Sequence, residues 1–598
     1  MILILLNWLF ILLTTYVTGH AALRLGSKLF GYGGHRHFLM ILVTGFSCVS
    51  AYAGYFSLFG RVSLASDVIL VGICLFCILL DRKHYVGMPL LILAFLRDCR
   101  HSLKDPDKIR SGRGGIILLR ILQLTGAILL FIAILYFTAS GSFSAASGLY
   151  RPQAIRWIEE CGTVKGLWLA GDAFCFDSSA FCAGALYGFS FAGQSLHGLN
   201  GYLAAVLTLY AYFCITNAFL KRTFGNLHTI LAFTPIVYTV ILAIELIAPD
   251  TDPVFSYLLL AILIRLSQLM DEKEEESAPY ALLFILTVFL LTVKISACVL
   301  LLPALLAPVL MIRRKHFRAL IHTLLSTLLL ILPFLIRRVL VSGRLFYPLA
   351  SPDLFALPWK IPKDTIGAQI ASIRAQARGI SGSEQAMRAF NWVPVWWRNL
   401  SGTNRLFLLT AAAAFTVGLI WSLIALIRVI LSRRTDKAVK LSAMLLLEAG
   451  AMASLTFWFL FAPDIRDGMI CLLLVPFVTF AVLKNDDAVP SSLKTLIPGI
   501  LSCMLLYPTG NILYQDMSYM LTDHGANYAL YQRDYPAADV KEVRFEGRTF
   551  YYPAQSGAPL YHEPFPAVLS QDVVNRMTCI GDSLSDGFTI KTQEIGGQ

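Results

Sequence analysis

Runs of roughly 18–25 apolar residues recur from one end of this chain to the other, each long enough to cross a hydrocarbon core of about 30 Å. No water reaches the backbone inside lipid, so a single spanning segment is confined to helix unless a closed barrel forms. The expected fold is therefore an all-α polytopic membrane protein of about 14 transmembrane helices, counted from the runs and the basic loops between them. Composition agrees: of 598 residues 57% are hydrophobic and 14% charged, against about 25% charged in an ordinary soluble domain. The formal charge of +12 does not point to nucleic acid. Many of the Lys and Arg residues sit in short loops between apolar runs, which is a signature of membrane topology. The first run, Met1 to Val17, lacks a basic leader and a small-residue cleavage site and reads as a span.

Positive loops face the cytoplasm, so Arg24, Lys28 and Arg36 after the first span place the N-terminus outside. Carried along the chain, the same rule gives six sections. Residues 1–139 hold the N-terminal spans, 201–341 the central spans and 405–510 the C-terminal spans. Residues 140–200 and 342–404 form two long extracytoplasmic loops, and 511–598 a tail outside the membrane. Short alternating runs such as Val540 to Phe550 make that tail a small strand-containing cap. Met88 to Leu96, too short to span, is expected at the interface. Cys74 and Cys77 lie within a span and act as small hydrophobes. Cys161, Cys175 and Cys182 share the first loop, where one disulfide is an open question.

Ionisable residues at membrane level are costly and mark candidate sites. The sequence puts Asp250, Asp252, Lys294, Arg337, Arg338, Asp464 and Arg466 at outer ends of spans, and Arg151, Asp172 and Asp177 in the first loop. Cations of this kind suit a lipid-linked phosphate, Arg by bidentate hydrogen bonding and Lys as a compact charge. Lys294, Arg338, Arg466 and Arg151 are the phosphate candidates. Asp172, Asp177 and Asp252 are the candidates for a general base on an acceptor hydroxyl. A divalent metal at Asp250/Asp252 is compatible with the pattern but not required, and no other cofactor is implied. The competing reading is that these side chains snorkel to the interface or pair with one another. Trp359, Trp392 and Tyr347 offer rings to a sugar; with Trp396 and Trp397 the tryptophans equally suit the interfacial belt. No zinc-ligand spacing, P-loop or G-x-S-x-G elbow is present.

The first loop reads Leu149-Tyr150, Gln153, Ile155-Arg156-Trp157-Ile158-Glu159-Glu160, Gly162, Val164, Gly166-Leu167 and then Phe176-Asp177-Ser178-Ser179. Further on come Thr251-Asp252, Lys294 with Ser296, Ser342-Gly343, Tyr347-Pro348, Ala462-Pro463-Asp464 with Arg466, and Gly581-Asp582-Ser583-Leu584-Ser585-Asp586-Gly587-Phe588. As a set these resemble the motifs of a poorly characterised family of bacterial polytopic membrane proteins, itself similar to GT-C-type glycosyltransferases. The resemblance implies a GT-C-like fold in the bacterial inner membrane, and the charge rule puts both termini on its extracytoplasmic side. It implies transfer of a sugar from a polyprenyl-phosphate donor to an envelope glycan or lipid acceptor. Ala146 stands where the family's first loop carries an aspartate, and Leu169 to Ala173 replaces its N-L-H-x-R. A catalytically inactive scaffold or partner subunit with the same fold is therefore the second expectation. A transporter of lipid-linked sugar or polysaccharide is the third; the absence of an internal repeat in the sequence argues against it.

Overall fold

The computed structural model describes residues 1–30, 37–87, 114–192, 195–221, 223–272, 276–295, 304–380, 390–431, 436–522 and 528–591. The expected interfacial stretch 88–96 and Ser296 lie outside the described residues. Among the described residues ten helices are long and apolar enough to cross a membrane, and Leu64–Leu80, Leu227–Ile241 and Ser277–Val293 are shorter apolar helices. The chain is an essentially all-helical, multi-pass membrane protein.

The helices divide by what they bury. In Phe38–Ser57, Thr251–Glu272 and Ile465–Asn485 most of the apolar surface is covered by neighbours, whereas Leu118–Ser140, Gly402–Leu431 and Ser491–Thr522 leave most of theirs exposed. Apolar all round, the first group forms the bundle interior and the second faces lipid. Helices attract one another weakly through apolar area alone in a bilayer, so close approach at small residues matters. Ile2–Phe30 and Phe38–Ser57 cross at Gly19 and Gly45, where a Cβ on either glycine would overlap the other helix's backbone carbonyl, of Ile41 and Thr15 respectively.

One end of the bundle carries a polar layer built from three segments distant in sequence: the first loop, the second loop and the tail. The first loop is ordered by the helices Arg151–Cys161 and Ser179–Tyr187. Gly162 ends the former at φ 74°, a conformation favouring glycine, and a Cβ there would press on the Gly60 carbonyl. The tail lies along this loop, with Leu560 and Tyr561 donating to Gly148 O, Leu569 to Ala170 O and Phe588 to Lys165 O at 2.8–3.1 Å. His562 meets the buried Glu159 at 3.2 Å. Burial pushes the Glu159 carboxyl up, and the hydrogen bond with His562 opposes the shift. From the second loop, Trp359 O accepts from Trp168 Nε1 at 2.6 Å.

The strand-containing tail is present: Val540–Phe545 pairs antiparallel with Arg548–Pro553, and Met577–Cys579 with Phe588–Ile590. It begins later than residue 511, because the last spanning helix runs through Pro498 and Pro508 to Thr522. Cys161, Cys175 and Cys182 are free thiols, the last two buried, so no disulfide joins them.

Candidate functional site

At the capped end four helix termini come together. Thr251–Glu272 and Ile465–Asn485 begin there and carry Asp252 and Asp467 in their first turns, where the positive end of the helix dipole favours a carboxylate. Asp464 caps the second, accepting from Arg466 N at 2.9 Å. Ser277–Val293 ends there, followed by Lys294 at its negative end. Arg151 opens the Arg151–Cys161 helix.

Their side chains form an alternating chain of seven charges. Arg466 meets Glu245 at 3.1 Å and also pairs with Asp250. Arg151 reaches Asp250 at 2.5 Å and Asp252 at 3.5 Å. Lys294 pairs with Asp252 and lies 3.5 Å from Asp467. Asp250 is the buried hub, 3% exposed, whereas Asp467 is 44% exposed. The network is thus closed at Asp250 and Asp252 and more open at Asp467, Glu245, Lys294 and Arg466. Asn200 fixes the turn before Asp252, donating to Ala248 O at 2.6 Å and Asp250 O at 3.1 Å. Tyr150 precedes Arg151 at the start of its helix, its ring edge-on to Phe174 and Phe181.

Of the candidates named from sequence, Arg151, Asp252, Lys294 and Arg466 meet here, together with Asp250. The other six are held elsewhere. Asp172 pairs with the tail's Arg576 at 2.5 Å, which lies over Trp168. Asp177 accepts both arms of buried Arg337 at 2.9 and 3.0 Å, and Arg337 also reaches Ser57 and Thr163. Arg338 donates to Tyr347 O at 2.6 Å and to Asp177 O at 3.3 Å. Tyr347 is buried, its hydroxyl donating to Gln369 and its ring against Phe176. Trp392 is buried under Arg378 and between Trp396 and Phe459. Trp359 donates to Val339 O at 3.3 Å. Asp177 and Arg338 therefore lock the loop to the Phe317–Ser342 helix, and the rings of Tyr347 and Trp392 are covered by protein rather than offered to a sugar.

Metal fits poorly at Asp250/Asp252, because both carboxylates already face two cations each. Among the described residues no three His, Cys, Asp or Glu are grouped to hold a metal ion. Ala146 is exposed in the short Ala145–Gly148 helix, five residues before Arg151.

Sequence reasoning passed over Glu245 and Asp467. Glu245 lay inside an apolar run, and Asp467 follows Arg466 directly, three residues after Asp464. It also passed over Glu448, buried midway along the Asp436–Phe461 helix and accepting from Thr479 at 2.7 Å.

A multi-pass bundle with one capped end and a charge network beneath the cap defines the class of protein. The family model described as "Domain of unknown function (DUF8201)" matches residues 1–473, and the chain belongs to that family. The match takes in the whole network and ends before the last spanning helix and the tail. No curated protein and no solved structure matches the chain.

Proposed function

We propose that this chain is a GT-C-like glycosyltransferase of the bacterial inner membrane, moving a sugar from a polyprenyl-phosphate donor to an envelope glycan or lipid acceptor at its capped, extracytoplasmic end. The observation that carries it is the meeting of Arg151, Asp252, Lys294 and Arg466, from four separate helix ends, in one network half-open to solvent. Lys294 and Arg466 are the more open cations and hold the donor phosphate. Arg151 steadies Asp250 and Asp252, and Asp252 takes the proton of the acceptor hydroxyl, or orients that hydroxyl, as its oxygen bonds to the anomeric carbon and polyprenyl phosphate leaves. Donor phosphate leaves as a stable anion, so neither nucleotide nor metal enters the scheme. Fourteen passes with both termini outside belong to this reading, which the ten long apolar helices and three shorter ones support as a many-pass bundle. Lysines and arginines such as Arg24, Lys221, Arg313, Arg428 and Lys484 gather near the helix ends away from the cap, which supports a cytoplasmic location for that end.

A second reading, a non-catalytic relative that keeps the fold, is favoured by Ala146 and by the pairing of every carboxylate in the network with a cation. Turnover separates the two. Full-length protein in nanodiscs, given polyprenyl-phosphate sugars, is expected to release polyprenyl phosphate. Asp252→Asn is expected to slow that release by about 100-fold or more, the scale of a lost general base. No release from any donor supports the second reading. Release that Asp252→Asn leaves unchanged removes Asp252 from the mechanism.

A further inference from the structure

The segment between Ser342 and Ile361 is a closed loop whose two sides differ. Its neck is tied by Ile361 N donating to Ser342 O at 3.0 Å. Buried Arg344 donates to Ile361 O at 2.9 Å and Ala350 O at 2.8 Å. On the inner side, Tyr347 packs against Phe176 and its carbonyl takes Arg338. On the outer side, Phe346, Leu349, Leu354 and Phe355 are 43%, 59%, 58% and 39% exposed.

These four side chains are presented by a held backbone, so their exposure belongs to the fold rather than to a loose loop. Asp353, the loop's one carboxylate, is matched to Lys360 at 3.2 Å and Arg344 at 3.7 Å. Lys360 also donates to Phe355 O at 2.9 Å. The charges near the tip are thereby paired within the loop, which lowers the cost of removing it from water. The loop leaves directly from the end of the Phe317–Ser342 span, whose Leu325, Leu328, Leu329 and Ile336 are likewise exposed. Exposed apolar side chains thus run from the span into the loop that follows it.

We infer that this loop is a membrane-inserted finger: Phe346, Leu349, Leu354 and Phe355 enter the leaflet on the capped side, and the partner of this surface is the bilayer itself. A cluster of exposed apolar side chains on a polar cap fits an occupant that is apolar and fluid. Through Tyr347 on Phe176 the inner side rests on the first loop, the segment that also carries Arg151 of the charge network.

The test places an environment-sensitive nitrobenzoxadiazole probe at Leu354→Cys or Phe355→Cys. The full-length protein is held in nanodiscs of phosphatidylcholine and phosphatidylglycerol, and the signal of identically treated parent protein is subtracted. Asp582→Cys, exposed on the tail, serves as the water-facing reference. The finger probes are expected to emit to the blue of the reference and to lose most of their intensity when the lipids carry a nitroxide near the headgroup. The reference is expected to lose little. Finger probes that emit and quench as the Asp582 probe does would overturn the inference. So would probes shielded from both lipid and water whose cysteines cross-link two copies of the chain.

Discussion

Asp250→Ala is expected to destabilise the protein by about 3–5 kcal/mol, the cost of removing one partner from a buried ion pair. Asp250 is 3% exposed and faces two guanidinium groups, Arg151 and Arg466, which the substitution would leave without their shared carboxylate. Arg151 would retain Asp252 at 3.5 Å, and Arg466 would retain Glu245. Asp467→Ala, at the open end of the same network, is expected to cost less than about 1 kcal/mol, because that carboxylate is 44% exposed and water replaces it. Unfolding of both variants in the same detergent measures the gradient. Equal losses would mean that Asp250 is no hub and that the charges act as separate surface pairs.

Gly45→Leu is expected to have an effect of similar size. At the Gly19–Gly45 crossing, backbone meets backbone, and a side chain cannot be accommodated by turning a neighbouring rotamer. Overpacking elsewhere commonly costs 1–3 kcal/mol; here the helices must part, so a loss of about 3 kcal/mol or more is expected. The consequence reaches the cap. Phe38–Ser57 ends at Ser57, whose carbonyl accepts from Thr163 N at 2.7 Å and whose hydroxyl accepts from Arg337. Gly72→Ala, where nothing lies within 4 Å of the added carbon, is the matched control. Size-exclusion profiles and thermal unfolding of the two variants provide the comparison, and like behaviour would show that the crossing is not tight.

The spans were legible because a bilayer imposes both length and apolarity, and chemistry cannot disguise either. Their ends were less so. Pro508 reads as a stop, yet the last spanning helix passes through it to Thr522, since neighbouring groups in a membrane bundle re-satisfy what proline leaves open. The network was half legible for a related reason. Asp252, Lys294 and Arg466 interrupt or border apolar runs and stand out, whereas Glu245 is buried in one and Asp467 reads as part of a polar turn. Asp172 and Asp177 drew attention because a loop carboxylate looks free in a sequence. Their partners, Arg576 and Arg337, lie 404 and 160 residues away, and pairing across such distances follows only from the folded arrangement. The same holds for Tyr347 and Trp392, whose rings are covered by residues from other segments.

Binding of polyprenyl phosphate tests most directly whether the charge network receives a lipid-borne anion, because it does not depend on finding the sugar. At a concentration about 100 times its dissociation constant, a ligand of the native state stabilises it by about 2.7 kcal/mol. Wild-type protein and Arg576→Met, altered outside the network, are expected to show that stabilisation in thermal unfolding, and Lys294→Met with Arg466→Met to lose it. Equal stabilisation of all three proteins, or none in the wild type, would contradict the assignment.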